Sequence, residues 1–276
     1  MAKTIEFTKM HGAGNDYIYV DTDRYPIDDP AALSIKWSRQ HTGIGSDGLI
    51  LISRSEVADF RMRIFNADGS EAMMCGNGTR CVGKYVYDKG LTDKTRISLE
   101  TLSGIKIIDL HMTGGEVTSA SVDMGPYTVL PLGDDPTPFV NREITAGGVT
   151  MRGTAVSMGN PHLVFFVDDA EHFDVAGIGP AFERHPWYKD RTNVEFAQVL
   201  SPSSIRMRVW ERGSGITMAC GTGACATYVA GVVNHLVSGR TSLILDGGTL
   251  YIEQAADGHI IMTGPAETVY EGRISY

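Results

Sequence analysis

The sequence predicts an α+β (mixed α/β) protein built from two similar, pseudo-symmetric halves. Two observations support this prediction. Short runs that alternate apolar and polar residues, bounded by Gly, Asp, Asn or Pro, far outnumber the segments with helical periodicity. In addition, several motifs recur at one constant spacing, which indicates an internal duplication rather than a single continuous domain.

The alternating runs predict strands along the whole chain. This alternation of apolar and polar residues, with a period of two, is expected where one face of a sheet is buried and the other is exposed to solvent. In chain order they are "IEFTKM", "DYIYVD", "GLILIS", "FRMRIF", "RISLET", "GIKIIDLHM", "SASVDMG", "HLVFFVDD", "VEFAQVLS", "SIRMRVW", "TSLILD", "GTLYIEQ" and "HIIMTG". A final run, "TVYEGRIS", follows the second half of the chain, and we expect it to return to the first half.

Four segments predict helices instead. They are residues 30–40, 79–89, 175–183 and 224–238. Pro30 suits the first helical position, because its fixed φ matches a helix and its missing N–H needs no partner there. Gly90 and Gly239 are typical residues just past a helix end. The 175–183 segment is the weakest of the four, since Pro180 interrupts it.

The internal repeat holds one register. "FRMRIF" begins at position 60 and "IRMRVW" at 205, "CGNG" begins at 75 and "CGTG" at 220, and Gly-Asn occurs at 14 and at 159, so the separation is 145 residues each time. We therefore expect two homologous halves, each with one main helix, related by a pseudo-twofold axis. The first comprises residues 1–120 plus 266–276, and the second comprises residues 121–265.

Composition and charge narrow the classes of function. The chain has the apolar content of a globular protein with a sizeable core. Its net charge of −9 argues against nucleic-acid binding, which requires a stripe of basic residues. The amino terminus has no apolar signal segment, and no run is long enough to cross a bilayer. We expect a cytoplasmic protein with no nucleic-acid or membrane partner, whose cysteines stay reduced.

The repeated Cys-Gly-x-Gly motif carries the chemistry. In each half it follows a strand and precedes a helix, where unpaired N–H groups and the helix dipole stabilise an anion and can lower a thiol pKa from about 8.5. The glycines permit close approach of the backbone and positive φ. If Cys75 and Cys220 flank one α-amino acid, one thiolate can remove the α-proton while the other thiol delivers a proton to the opposite face.

Several motifs together resemble the diaminopimelate epimerase family. They are "MHGAGNDY", "TGIGSDG", "FNADGSEAMMCGNGTRC", "AVSMGNPH", "RTNVEF", "WERGSGITMACGTGAC" and "VYEGRI". The resemblance implies two domains, each a mixed sheet wrapped around a central helix. It also implies conversion of LL-diaminopimelate to the meso form, in lysine and peptidoglycan precursor synthesis, without pyridoxal phosphate or any other cofactor or metal, by a homodimer.

The resemblance further implies roles for individual residues. Cys75 and Cys220 are the catalytic acid–base pair, His162 and Glu211 tune the thiol pKa values, and Tyr270 lies at the dimer contact. The substrate-binding set is Asn15, Asn66, Gly76, Asn77, Asn160, Asn193, Glu211, Arg212, Gly221 and Thr222. Gly48 stands where some members of the family carry a glutamine, so one substrate contact of those members has no counterpart here.

The residues leave other functions open. A proline racemase or hydroxyproline epimerase would also use paired cysteines, and a thiol–disulfide oxidoreductase could use Cys75 and Cys220 as a redox pair. A binding protein with vestigial sites would tolerate loss of both thiols. Zinc binding is disfavoured by the wide Cys-x5-Cys and Cys-x4-Cys spacings, and we assign Cys81 and Cys225 to the core. An epimerase should also close about a hinge to shield its thiols from water.

Overall fold

The alternating and helical patterns produce strands and helices in both halves of the chain. The structure, a computed structural model, describes residues 4–275. It divides into two units, one formed by Met1–Asp123 with Thr263–Tyr276 and the other by Met124–Met262. The divisions fall inside two strands, β8 (Glu116–Gly125) and β18 (Ile260–Pro265).

The first unit is a mixed sheet. Besides β8 its strands are β1 (Thr4–Gly12), β2 (Asn15–Asp21), β3 (Gly48–Arg54), β4 (Phe60–Asn66), β5 (Glu71–Ala72), β6 (Arg96–Thr101), β7 (Gly104–Thr113) and β19 (Glu267–Ser275). Hydrogen bonds connect them in the order β19, β1, β2, β3, β4, β6, β7 and β8. The β2–β3 and β4–β6 pairs are parallel and the others antiparallel. The last strand of the chain thus pairs with the first.

The sheet of the first unit curves around helix α2 (Gly76–Asp88). This helix contacts β1 and β2 near one end of the strand order and β7 near the other, and most of its residues are buried. Helix α1 (Pro30–Trp37) packs on β3 and β4 instead, and its Ser34 hydroxyl donates to the Phe65 carbonyl at 2.9 Å. Because the sheet packs closely on α2, this helix needs small residues. A Cβ at Gly83 would lie only 2.8 Å from the Ile108 side chain.

The second unit repeats this architecture. Its strands are β9 (Thr128–Val129), β10 (Arg142–Ala146), β11 (Val149–Ser157), β12 (Pro161–Phe166), β13 (Asn193–Ser201), β14 (Ser204–Glu211), β15 (Gly215–Ile216), β16 (Thr241–Leu245) and β17 (Gly248–Gln254). The pairing order is β10, β11, β12, β13, β14, β16 and β17, and β12–β13 and β14–β16 are parallel. Helix α4 (Gly221–Val233) contacts six of these strands, and α3 (Val175–Glu183) packs on β13 and β14.

The two sheets share one strand register. In the parallel pairs, Ile18 faces Leu49 in the first unit and Leu163 faces Val194 in the second, so both partners are displaced by the same 145 residues. The antiparallel pairs agree, because β3–β4 and β13–β14 keep the same displacement. Equivalent positions can therefore be compared residue by residue. The predicted mixed α/β class, with a sheet around a central helix in each half, is confirmed.

The element boundaries differ from the sequence predictions at several points. Helices α2 and α4 begin three residues earlier than expected, at Gly76 and Gly221, because the preceding cysteine caps each of them. Helix α4 also ends well before Gly239, since His235 already has a left-handed φ of 58°. The α1 helix stops at Trp37 rather than residue 40.

Five strands were not predicted, namely β5, β9, β10, β11 and β15. Three of them have only two residues, too few for a recognisable alternation. The β10–β11 hairpin had a usable signal, because Gly147 and Gly148 form its two-residue turn with φ of 58° and 80°. Within residues 4–275 no helix has the length and apolar character needed to cross a membrane.

Candidate active site

In the first unit, Cys75 is the residue that begins helix α2. It has an extended backbone (φ −136°, ψ 116°), and its Sγ accepts the Gly78 N–H at 3.4 Å, as a serine or aspartate oxygen does in an ordinary N-cap. A Cβ at Gly78 would lie 2.7 Å from Ile50 Cδ1. The motif therefore needs glycine for close packing, whereas the expected positive φ does not occur at Gly76 or Gly78.

Asn15 connects this thiol to the neighbouring hairpin. The Cys75 thiol donates to Asn15 Oδ1 at 3.3 Å, and Asn15 Nδ2 donates to Asp47 Oδ2 at 2.7 Å. Asn15 follows the tight turn at Ala13 and Gly14, which both have positive φ and direct the chain back along β1. Burial raises the pKa of Asp47 above its usual value, although the Asp16 N–H bound to the same carboxylate lowers it.

A buried cation lies on the other side of Asn77. Arg80 is fully buried in α2, and its Nη2 donates to Asn77 Oδ1 at 2.9 Å, while Asn77 Nδ2 reaches Asn15 Oδ1 at 3.5 Å. Arg80 Nε donates to the Pro265 carbonyl at 3.2 Å. The guanidinium is thus linked to the Cys75 thiol through two asparagine side chains.

Asn66 lies at the end of β4 in the same unit. Its Nδ2 donates to Ser70 Oγ at 3.0 Å, and its carbonyl accepts the Ser34 hydroxyl at 2.8 Å. Both contacts fix the loop that leads to Cys75. The structure thus holds Asn66 in position, while a role in substrate binding stays a prediction.

In the second unit, Cys220 occupies the equivalent position at the start of α4. Its Sγ accepts the Gly223 N–H at 3.3 Å, with φ −119° and ψ 109°. A Cβ at Gly223 would lie 2.7 Å from Glu195 Oε1 and 3.1 Å from Cys220 Sγ, so glycine is again required for space. Cys220 is buried, with 7% of its surface exposed.

A fully buried histidine and carboxylate lie beside this thiol. His162 Nδ1 is 2.7 Å from Glu195 Oε1, and neither residue has any exposed side-chain surface. The other ring nitrogen, Nε2, is 3.2 Å from Asn160 Oδ1. Asn160 Nδ2 donates to Thr222 Oγ1 at 3.3 Å, and that oxygen lies 3.6 Å from Cys220 Sγ. The structure thus brings four predicted site residues into one connected set.

Glu211 completes the environment of the thiol. Burial raises its pKa, although hydrogen bonds from the Thr217 hydroxyl and the Cys220 thiol lower it. Burial also raises the pKa of Cys220 well above its usual value, and the negative charges of Glu211 and Glu195 raise it further. The expectation that the helix start lowers this thiol pKa is therefore wrong for Cys220, because burial and the carboxylates outweigh the hydrogen bonds from Thr222 and Gly223.

Asn193 and Arg212 lie together near the end of β14. Asn193 Oδ1 accepts the Arg212 N–H at 2.9 Å. Glu183 holds the same loop, because its carboxylate accepts Trp210 Nε1 at 2.9 Å and the Gly213 N–H at 3.1 Å. Burial raises the pKa of Glu183, but these hydrogen bonds and Arg191 leave it below its ordinary value. A cavity of about 400 Å³ is bordered by residues that include Asn160 and Arg212.

The remaining predicted residues are more peripheral. Tyr270 is exposed on β19, with its ring packed edge-on against Phe7 at 6.0 Å. Cys81 and Cys225 are fully buried, which confirms their assignment to the core, and burial raises the Cys81 pKa to about 11. No cysteine forms a disulfide, and the described part of the chain contains no group of three or more His, Cys, Asp or Glu arranged to hold a metal.

Sequence reasoning missed three residues that the structure connects to these sites. Arg80 and Glu195 contact predicted site residues, and Glu183 holds the loop that carries Arg212. Both Arg80 and Glu195 lie inside quoted motifs, "CGNGTRC" and "RTNVEF". A charged residue within an otherwise apolar strand or at the start of a buried helix was the available signal.

Comparison with known proteins identifies one family over most of the chain. The family model for diaminopimelate epimerase matches residues 7–130 and 154–269. A diaminopimelate epimerase of Parabacteroides distasonis is 58% identical over 275 residues, covering 99% of both chains. Among solved structures, a PhzF-family phenazine biosynthesis protein of Bacillus anthracis has a TM-score of 0.72 at 18% identity, covering 99% of both chains. A hydroxyproline epimerase of Agrobacterium vitis has a TM-score of 0.71 at 16% identity, covering 99% of this chain and 92% of that one. These two likenesses concern the fold alone.

Proposed function

The chain belongs to the diaminopimelate epimerase family of isomerases, and from that premise we propose that it converts LL-diaminopimelate to meso-diaminopimelate. The reaction inverts one α-carbon of a substrate that carries an amino acid group at each end. It supplies a precursor for lysine and peptidoglycan. The proposal needs no cofactor, because a thiolate and a thiol suffice as proton acceptor and donor.

The observation that carries the proposal is the pair of thiol-capped helices. Cys75 and Cys220 stand at equivalent positions of two duplicated units, and each sulfur accepts the N–H of the second glycine of its motif. Packing does not explain a cysteine at this position in both units, since Ser, Thr, Asp and Asn are the usual N-caps. A sulfur held at a helix start has a defined direction and a proton that can be transferred.

In the proposed mechanism, one thiolate takes the α-proton from one face of the substrate, and the other thiol gives its own proton to the opposite face. The electron pair left by the C–H bond passes into the substrate carboxylate and returns to form the new C–H bond. Negative charge on the carboxylate is greatest between these steps. The first-turn N–H groups at Gly76–Asn77 and at Gly221–Thr222 suit that charge, because no helical carbonyl can pair with them.

We assign the two polar ends of the substrate to the asparagines and to Arg212. Guanidinium binds a carboxylate through two parallel hydrogen bonds, and Arg212 and Asn160 border one cavity. Asn15, Asn66, Asn193 and Glu211 supply acceptors and donors for the amino and carboxylate groups. This double-ended set favours diaminopimelate over proline or hydroxyproline, which have a single amino acid end.

We also propose that the protein works as a cytoplasmic homodimer with Tyr270 at the contact. Tyr270 and its neighbour Val269 are exposed on β19, which pairs with β1. Exposed apolar and aromatic side chains next to one another are suited to an interface between copies.

Deuterium exchange at the α-carbon tests the function. Proton NMR of LL-diaminopimelate with reduced protein in D2O should show deuterium entering the α-position as the meso isomer forms. Cys75→Ala and Cys220→Ala should each reduce turnover at least about a thousandfold, since either one removes a group that exchanges a proton. Cys81→Ala and Cys225→Ala, in the same two helices, are the matched controls and should keep turnover within about tenfold.

Other outcomes identify the competing functions. Absence of exchange with reduced wild-type protein would contradict the proposal, and proline and hydroxyproline would then be tested under the same conditions. Catalysis of exchange between an added dithiol and an added disulfide would instead support a redox enzyme. Full activity in both catalytic-cysteine variants would eliminate the two-thiol mechanism.

A further inference from the structure

Glu195 is a buried carboxylate that none of the proposed substrate or proton-transfer roles uses. It is the third residue of β13, with no exposed surface, and β13 pairs with β12 on one side and β14 on the other. Its Oε1 is 2.7 Å from His162 Nδ1, and within residues 4–275 its Oε2 is buried with no hydrogen-bond partner. Burying a carboxylate is costly, so a charge kept here needs compensation from a nearby cation.

The hydrogen bonds around His162 supply that compensation. Asn160 donates through Nδ2 to Thr222, which leaves its Oδ1 directed at His162 Nε2. The ring nitrogen Nδ1 faces Glu195 Oε1. Both nitrogens thus face acceptor oxygens, and an imidazole can donate to two acceptors only when it carries both protons. When Glu195 is ionised, this geometry accommodates an imidazolium between a carboxylate and an amide.

The same connections reach the sulfur of Cys220. With Asn160 donating to Thr222 Oγ1, the Thr222 hydroxyl proton is available to the sulfur 3.6 Å away. This orientation suits a thiolate. If His162 loses its Nε2 proton, the amide must turn to donate to that nitrogen, and Thr222 must then donate to the amide oxygen. This second orientation suits a thiol. The two arrangements contain the same number of protons when one proton is counted on either His162 or Cys220.

We propose that Glu195 is a positioning residue that stabilises the protonated form of His162, so that Cys220 can ionise beside an imidazolium. The inference rests on the proposed function, in which Cys220 must exchange a proton with the substrate. Glu195 does not touch the sulfur in this role. It acts through His162, and the effect reaches Cys220 through Asn160 and Thr222.

Charged and titratable groups from several strands affect whether the proton lies on His162 or on Cys220. Glu211 on β14 and Glu195 on β13 oppose a negative charge on the sulfur. A protonated His162 on β12 has the opposite sign of charge and would favour it. Tyr188 also faces Glu195, and burial followed by that carboxylate raises its pKa. Since Glu195 is bonded directly to His162, it favours the imidazolium more strongly than it opposes the thiolate.

The position is specific to this unit. The register places Ile50 where the second unit has Glu195, and Tyr17 where it has His162. A Cβ added to the second glycine of the Cys-Gly-x-Gly motif would lie 2.7 Å from the Ile50 methyl group in the first unit and 2.7 Å from the Glu195 carboxylate in the second. A carboxylate is therefore not needed for packing at this position.

The test measures the alkylation rate of Cys220 by iodoacetamide at neutral pH, followed by mass spectrometry of the Cys220 peptide. Glu195→Gln keeps the shape and a hydrogen-bond acceptor but removes the charge. In the wild-type background it should slow alkylation of Cys220 about tenfold, because the imidazolium that accompanies the thiolate is lost. The rate at Cys75 in the same sample is the internal control and should not change.

The decisive comparison repeats the substitution in a His162→Gln background. There Glu195 has no imidazolium to stabilise and acts only as a negative charge, so Glu195→Gln should speed alkylation. If it speeds alkylation in both backgrounds, Glu195 is only a repelling charge and the inference fails. If Glu195→Gln leaves the alkylation rate of Cys220 unchanged in both backgrounds, Glu195 is a purely structural residue, and the inference also fails.

Two further variants keep the inference testable if Glu195→Gln does not fold. His162→Gln and Thr222→Val leave Glu195 in place and should each slow alkylation of Cys220, and an unchanged or faster rate in either would contradict the inference. None of these rates requires substrate. They therefore stand apart from the deuterium-exchange test, whose failure would contradict the proposed reaction and leave the alkylation result intact.

Discussion

The Cys75 and Cys220 sites have the same backbone and different surroundings. Each cysteine caps a 13-residue helix, and strands of equal register hold each one. Among the differences are four equivalent pairs of side chains, which are Tyr17 and His162, Ile50 and Glu195, Asn66 and Glu211, and Arg80 and Cys225. The first site therefore contains a buried cation, and the second contains a buried carboxylate with a histidine.

This difference shows how a duplicated fold can carry two distinct thiols. The repeated backbone fixes where each sulfur lies, because the cap geometry depends on main-chain atoms and glycines. The side chains behind the sulfur fix the charge around it, because buried charges are poorly screened.

Removal of the buried cation should have the largest effect on stability. Arg80→Met leaves Asn77 Oδ1 and the Pro265 carbonyl without that donor, and we expect the free energy of unfolding to fall by about 3 kcal/mol. Urea unfolding measures this. The matched control is Arg61→Met on the exposed face of β4, which should change stability by no more than about 0.5 kcal/mol. Equal losses in the two variants would show that burial of Arg80 carries no special weight.

The two glycines should respond differently to the same added methyl group. At Gly78 the new Cβ meets the end of the flexible Ile50 side chain, and the better helix propensity of alanine offsets much of the strain. At Gly223 it meets Glu195, which His162 holds in place, and also Cys220 Sγ. We expect Gly223→Ala to cost about 2 kcal/mol by urea unfolding and Gly78→Ala less than about 1 kcal/mol. A larger loss of stability for Gly78→Ala than for Gly223→Ala would contradict this, because it would mean that Glu195 moves aside more easily than Ile50.

The loops before the two cysteines should differ in their response to pH. Glu183 in the second unit has a lowered pKa, so its contribution to stability is present above its ordinary value near 4.5 and is lost as the pH falls below it. Glu183→Gln should therefore cost about 1.5 kcal/mol at pH 7 and progressively less below pH 4.5. Urea unfolding at several pH values measures both.

The uncharged counterpart in the first unit is the matched control for that prediction. Ser34 holds the end of β4 through its hydroxyl, which does not titrate in this range. Ser34→Ala should cost about 1 kcal/mol at every pH. A pH-independent loss in the Glu183→Gln variant would show that its carboxylate is not the group that holds the Arg212 loop.

Much of this architecture was predictable from local patterns. The alternation that buries Phe60, Met62 and Ile64 depends only on the period of a strand, and the repeat of that run at residues 205–210 requires no structure to recognise. The Cys-Gly-x-Gly motif marked two helix starts for the same reason, since caps and close-packed glycines are local features. Boundaries were less predictable, because the sulfur of Cys75 was not recognised as the cap itself.

The duplication, the two thiol positions and the family could be inferred without a structure, because strand alternation, helix capping and glycine spacing are properties of a few adjacent residues. The charges that lie behind each thiol could not, because they depend on how distant parts of the chain pack together. Glu195 is far from Cys220 in sequence, and the parallel pairing of β12 with β13 brings it beside His162. Arg80 resembles a solvated helical residue until the surrounding sheet buries it. Burial and long-range pairing set the electrostatics of a site, and neither can be read from neighbouring residues.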